Sequence, residues 1–269
     1  MSEAIAAGIW LVGCGNMGGA MLRRWTESGV DPARVVVLDP GTPSVPAGVR
    51  VMASPPPGEL PGIVVLAIKP QQLGAFADAV GDRLAGVPLL VSILAGVEEA
   101  VLAERFAPRA VVRAMPNLSV AIGKGVVALH SDTPDAALRD AAERLMAPLG
   151  LVEWIADEPL FDAVTALSGC GPGFVYRFID AMAEAGAALG LPIDQARRLA
   201  LATVEGSGLL AAQADAPPAV LADRVASPGG STREGLNVLD RDDALVRLMR
   251  DTLAASARRN AEMAAEARK

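Results

Sequence analysis

A glycine-rich loop, Gly13-Cys14-Gly15-Asn16-Met17-Gly18, joins the apolar run Gly8–Val12 to a helical pattern that reaches about Ser28. Glycines permit a tight turn and a close backbone approach. A helix opening on such a loop aims unspent N–H groups and the positive end of its dipole at one spot. Strand, loop and helix in this order make a cradle for the pyrophosphate of a dinucleotide. An ordinary glycine turn has the same spacing, so the position after a β-like run carries the reading. Asp39 closes the next apolar run, Val35–Leu38, at roughly the distance from Gly18 where an acid meets the ribose hydroxyls. Its charge would repel a 2′-phosphate, which predicts that NADH is used at least as well as NADPH. Capping ahead of Pro40 is the alternative role for this acid.

Strand-like runs at Ile63–Ile68, Leu89–Ile93, Ala110–Arg113, Gly125–Leu129 and Val152–Ile155 alternate with helical stretches at Gln72–Leu84, Val97–Phe106 and Pro134–Leu149. This alternation predicts a Rossmann-like, doubly wound α/β domain with a parallel sheet covered on both faces. Val152–Ile155 is expected at the sheet edge, and Pro55-Pro56-Pro57 in a loop. Past Asp157 the strand patterns stop. Phe174, Val175, Phe178, Ile179, Met182, Ala185 and Leu189 recur at helical spacing. Pro192–Ala212 reads as a second helix with Pro192 at its first position. Leu245, Leu248, Met249, Thr252 and Leu253 form a third stripe. The expected organisation is a dinucleotide-binding domain over 1–157 and an all-helical domain over 158–269.

Composition excludes several classes. Apolar residues make up 52% of the 269, enough for a large core without staples, while aromatics at 3% leave few surfaces for stacking bases. The net charge of −7, without a Lys/Arg cluster, argues against a nucleic-acid partner. Cys14 and Cys170 make no disulfide framework and agree with a cytoplasmic setting. Ile5–Val12 is short and lacks the basic flank of a signal peptide, and no apolar run is long enough to predict a membrane span. No metal is expected.

The most specific passage is Leu221–Asp240, where a helix stops at Ser227-Pro228, a glycine pair turns the chain, and a new helix opens around Thr232. The N–H groups of Gly230, Ser231 and Thr232 can converge on one small anion, and the Thr232 hydroxyl can donate or accept. A capped helix corner explains the same composition equally well. The passage resembles the signature of the pyrroline-5-carboxylate reductase family. Five further segments resemble that family in order: Ile9–Ala20, Ala67-Ile68-Lys69-Pro70, Ser92–Gly96, Arg113-Ala114-Met115-Pro116-Asn117 and Asp162–Pro172. The chain departs from the family pattern at Leu118-Ser119, Cys170, Gly173 and Asp39.

The resemblance implies a Rossmann-like domain, a helical dimerisation domain, and hydride transfer from NADPH or NADH to the C=N bond of 1-pyrroline-5-carboxylate, giving L-proline. It implies cofactor contacts at Gly13, Gly15, Asn16, Met17, Gly18, Asp39, Ser54, Ala67, Ile68, Lys69, Pro70, Ala95, Gly96, Met115, Pro116 and Asn117. Substrate contacts fall on Glu158, Thr165, Ser168, Gly229, Gly230, Ser231 and Thr232, with the Thr232 hydroxyl on the imine nitrogen. It further implies a homodimer through the helical domain and assembly into a larger ring, a decamer.

A protonated cyclic imine needs orientation more than a strong acid. The sequence suits that demand: its only His is His130, and its lysines are Lys69, Lys124 and Lys269. Two other readings share the fold. A 3-hydroxyacid dehydrogenase-like enzyme would carry a lysine on the first long helix of the second domain, and Val164–Leu189 has none. A non-catalytic dinucleotide sensor would have no need of the Ser227–Thr232 turn.

Overall fold

The computed structural model describes residues 3–58 and 60–267. The chain runs through α1 (Glu3–Ala6), β1 (Ile9–Val12), α2 (Asn16–Glu27), β2 (Val35–Leu38), β3 (Arg50–Met52), β4 (Ile63–Leu66), α3 (Leu73–Leu84) and β5 (Leu89–Ser92). It continues with α4 (Glu99–Phe106), β6 (Val111–Pro116), β7 (Gly125–His130), α5 (Ala136–Met146), β8 (Gly150–Trp154) and α6 (Phe161–Val164).

The eight strands form one sheet in the order β3-β2-β1-β4-β5-β6-β7-β8. The first six strands are mutually parallel in the doubly wound order. Alternate residues of each central strand face opposite layers. Ile9 and Leu11 pack with Met21, Trp25 and Leu145 on the α2–α5 side. Trp10 and Val12 pack with Leu84, Leu102 and Phe106 on the α3–α4 side. Each large apolar side chain buried this way contributes about 1.5–3 kcal/mol, so both helical layers are needed to hold the strands.

Two features differ from the sequence expectation of a purely parallel sheet. β3 is a three-residue, largely exposed strand with no apolar run to announce it. β6 and β7 pair antiparallel, Arg113 opposite His130 and Pro116 opposite Val127. Only Asn117–Lys124 links them, too little chain for a parallel crossover. β8 is parallel to β7 and ends the sheet.

The chain divides into two compact units, 1–170 with 256–269, and 171–255. The sequence pattern puts the boundary near Asp157. The intervening segment belongs with the sheet because Phe161 is buried against Met115 and Ala128. The helical unit contains α7 (Gly171–Ala188), α8 (Ile193–Gln213), α9 (Pro218–Arg224), α10 (Ser231–Asp240) and the first part of α11 (Ala244–Ala267). Pro192 sits just ahead of α8 rather than at its first position. α7 and α8 pack through Ala183, Ala196 and Ala200 with Ile179 beside them. No described helix is long and apolar enough to cross a membrane.

Candidate active site

The glycine loop is built as its sequence requires. Gly13 has φ +88°, and a Cβ there would lie 2.7 Å from the Ala67 carbonyl oxygen. A Cβ on Gly18 would lie 2.5 Å from the Gly13 carbonyl oxygen, so this glycine lets α2 sit against its own loop. Gly15 is different: a Cβ there would meet no protein atom within 4 Å. Gly15 and Asn16 are exposed, Met17 is half-buried, and no side chain caps α2. The first N–H groups of this helix therefore face open space, which fits the pyrophosphate of a dinucleotide.

Asp39 stands beside the loop. Its Oδ2 accepts the Cys14 N–H at 2.8 Å and its Oδ1 accepts the Gly41 N–H at 2.8 Å. Burial pushes the Cys14 thiol above its ordinary value of 9.0; the Asp39 charge adds to the rise and Arg23 opposes it. Ala67, whose N–H bonds to the Val12 carbonyl at 2.7 Å, forms the loop's wall with Ile68. Lys69 is exposed ahead of the 3₁₀ turn Pro70–Gln72, and Ser54 is exposed past β3.

A cavity of about 1110 Å³ brings Pro70, Ala95 and Gly96 to one side, with Arg113, Asp162 and Thr165 also lining it. Met115, Pro116 and Asn117 are buried at the end of β6. Asn117 holds the local backbone: its Oδ1 accepts the Ser119 and Val126 N–H groups, both at 3.2 Å, and its Nδ2 donates to the Ser168 carbonyl at 3.0 Å. Thr165 and Ser168 lie on the π-helical turn Thr165–Gly169. Their hydroxyls donate to the Phe161 and Val164 carbonyls at 2.7 and 2.9 Å. Glu158 is held within the sheet unit, its Oε1 2.7 Å from both Arg113 Nη1 and the Glu99 N–H. Sequence reasoning gives Arg113 no role of its own, yet it lines the cavity and pairs with Glu158. Its signal is a charge inside the apolar run Val111–Met115.

In the helical unit, Gly229 has φ +72°, and a Cβ on Gly230 would come within 2.6 Å of Ser227 Oγ. Arg233 Nη2 holds the turn by donating to Asp223 Oδ1 at 2.7 Å. The Gly230 N–H, expected to face an anion, donates to the Ser227 carbonyl at 3.0 Å instead. That leaves the N–H groups of Ser231 and Thr232 at the opening of α10 without intrahelical acceptors, and both residues are exposed.

A doubly wound sheet, a glycine loop entering α2 and an acid at the end of β2 define a dinucleotide-dependent oxidoreductase. Residues 8–96 match the family model described as NADP oxidoreductase, coenzyme F420-dependent, and residues 158–263 match the model of pyrroline-5-carboxylate reductase dimerisation. The pyrroline-5-carboxylate reductase of Pseudomonas aeruginosa is 34% identical over 270 residues, covering 95% of this chain and 96% of that one. The solved pyrroline-5-carboxylate reductase of Coxiella burnetii superposes with TM-score 0.87 at 29% identity, covering 95% and 98% of the two chains. That of Plasmodium falciparum, solved with NADP bound, gives 0.81 at 25% identity, covering 96% and 98%. The chain belongs to the pyrroline-5-carboxylate reductase family.

Proposed function

We propose that this enzyme reduces the C=N bond of 1-pyrroline-5-carboxylate with NADH or NADPH, giving L-proline in the last step of proline biosynthesis. The observation that carries the reading is 33% and 34% identity, over 92% and 95% of this chain, to curated reductases of that name. When bound, the reduced nicotinamide supplies the hydride. The open N-terminus of α2, with Gly13, Gly15, Asn16, Met17 and Gly18, suits the pyrophosphate, and Asp39 the adenosine ribose. Ala67, Ile68, Lys69, Pro70, Ala95, Gly96 and the end of β6 complete the cofactor side of our reading.

The Ser231 and Thr232 N–H groups at the opening of α10 suit the substrate carboxylate, with Gly229 and Gly230 shaping the turn. The Thr232 hydroxyl donates to, or accepts from, the imine nitrogen according to its protonation. Thr165 and Ser168 keep lone pairs for a ligand although their hydrogens are committed to the helix, and Glu158 acts through Arg113. α7 carries no lysine, which counts against the hydroxyacid dehydrogenase reading. Formation of L-proline from 1-pyrroline-5-carboxylate and NADH or NADPH, followed chromatographically, tests the assignment; absence of product rejects it.

The helical unit supports a homo-oligomer. Phe178 is 49% and Leu189 90% exposed, within the region matched by the dimerisation model. An apolar surface of this kind is ordinarily covered by a partner. We place a homodimer here, and a decameric ring as its further assembly. Among the described residues both cysteines are free thiols, which agrees with the cytoplasm as its compartment.

A further inference from the structure

The first turn of α4, the end of β7 and the loop after it bring Glu99, His130 and Asp132 together, with ligand atoms of the three within 4.8 Å of one another. His130 is 2% exposed. Its Nδ1 lies 2.9 Å from the Ile155 carbonyl, which can only accept, so Nδ1 carries hydrogen. Nε2 is buried and has no hydrogen-bond partner. It points between two carboxylates, 3.8 Å from Glu99 Oε2 and 3.7 Å from Asp132 Oδ1. No described arginine or lysine forms an ion pair with either carboxylate, whereas the neighbouring Glu158 is paired with Arg113.

A buried Nε2 that faces two carboxylates and has no hydrogen-bond partner is an unsatisfied polar atom that a bound cation would satisfy. We propose that Glu99, His130 and Asp132 form a binding site for a divalent transition-metal ion of the Zn²⁺ type. Imidazole with carboxylate is a donor set that suits such ions. Donors around a tetrahedral ion with bonds of about 2.0–2.1 Å stand about 3.4 Å apart, so the observed spacings need only small side-chain shifts. The Ile155 carbonyl supplies the outer contact that fixes a ligating imidazole. The Asp132 N–H, donated to Glu99 Oε2 at 3.0 Å, already holds the loop against the helix. Access is through a cavity of about 530 Å³ that His130, Asp132 and Glu158 line. None of the three ligands belongs to the glycine loop or to the Ser227–Thr232 turn, and the ion would tie α4 to the β6–β7 pair.

The test titrates metal-free full-length protein with ZnCl₂ by calorimetry, comparing wild type with H130Q and D132N. Wild type is expected to take up one Zn²⁺ per chain at this site, and each variant to bind it about tenfold more weakly or worse. Asp132 is 85% exposed at its side chain, so D132N tests the site even if H130Q does not fold. Because His130 is the only histidine, its imidazole nitrogen resonances report the ion directly. Nε2 should shift on adding Zn²⁺. No uptake by wild type, equal affinity in wild type and both variants, or unmoved His130 resonances would each overturn the proposal. Equal affinity would place the ion elsewhere, for example on the thiols. No uptake would leave the three side chains as a cluster that holds no ion.

Discussion

The carboxylate of Asp39 accepts the N–H of Cys14 at 2.8 Å, locking the acid at the end of β2 to the glycine loop. In the proposed cofactor pose, an acid fixed there faces the 2′ position of the adenosine ribose. NADH is expected to give the higher kcat/KM, since a 2′-phosphate would meet a like charge that cannot swing away. Asp39→Asn keeps an acceptor and removes the charge. It should move the NADH/NADPH ratio of kcat/KM toward NADPH by about tenfold. An unchanged ratio in the variant would contradict this.

Gly15 and Gly18 are constrained by different things, and alanine substitution separates them. A Cβ on Gly18 would meet the Gly13 carbonyl oxygen at 2.5 Å, so Gly18→Ala should lower the Tm by moving α2 off its loop. Gly15 has empty space around it, so Gly15→Ala should leave the Tm unchanged and raise the KM for the cofactor. Thermal melts and cofactor titrations of the two variants check the contrast; a fall in Tm for Gly15→Ala would count against it.

Thr232→Ala should lower kcat/KM for 1-pyrroline-5-carboxylate by about tenfold or more, the scale of a single hydrogen bond missing from the transition state. Thr232 is exposed and makes no capping bond, so the variant should fold normally. Wild-type kinetics in the folded variant would remove Thr232 from the site.

The Cys14 thiol, raised above 9.0 chiefly by burial, should resist alkylation by iodoacetamide at pH 8 in the folded enzyme. The sign for stability follows from the same shift. As pH rises past about 9, the unfolded chain releases this proton while the folded chain keeps it, so Cys14 makes stability fall in that range. Cys14→Ala should flatten this part of the pH–stability curve. Rapid labelling of Cys14 at pH 8 would contradict the shift.

The parallel part of the fold was legible because its strands are buried on both faces and read as unbroken apolar runs, as at Ile63–Leu66 and Leu89–Ser92. β3 was not, since Arg50–Met52 is short and exposed and owes its strand geometry to pairing with β2. The reversal between β6 and β7 depends on how little chain separates two runs that look alike. The glycine loop could be read because its residues are contiguous. The metal-ligand cluster could not, because Glu99 and His130 meet only through the packing of α4 beside the β6–β7 pair. Local sequence also could not show that the Gly230 N–H is taken by the Ser227 carbonyl, which narrows the proposed anion site to Ser231 and Thr232.

Steady-state oxidation of NADH and NADPH against 1-pyrroline-5-carboxylate tests the central claim most directly. The account predicts saturable, substrate-dependent oxidation with L-proline as product and the higher kcat/KM for NADH. Cofactor binding without substrate-dependent turnover of either nucleotide would contradict it.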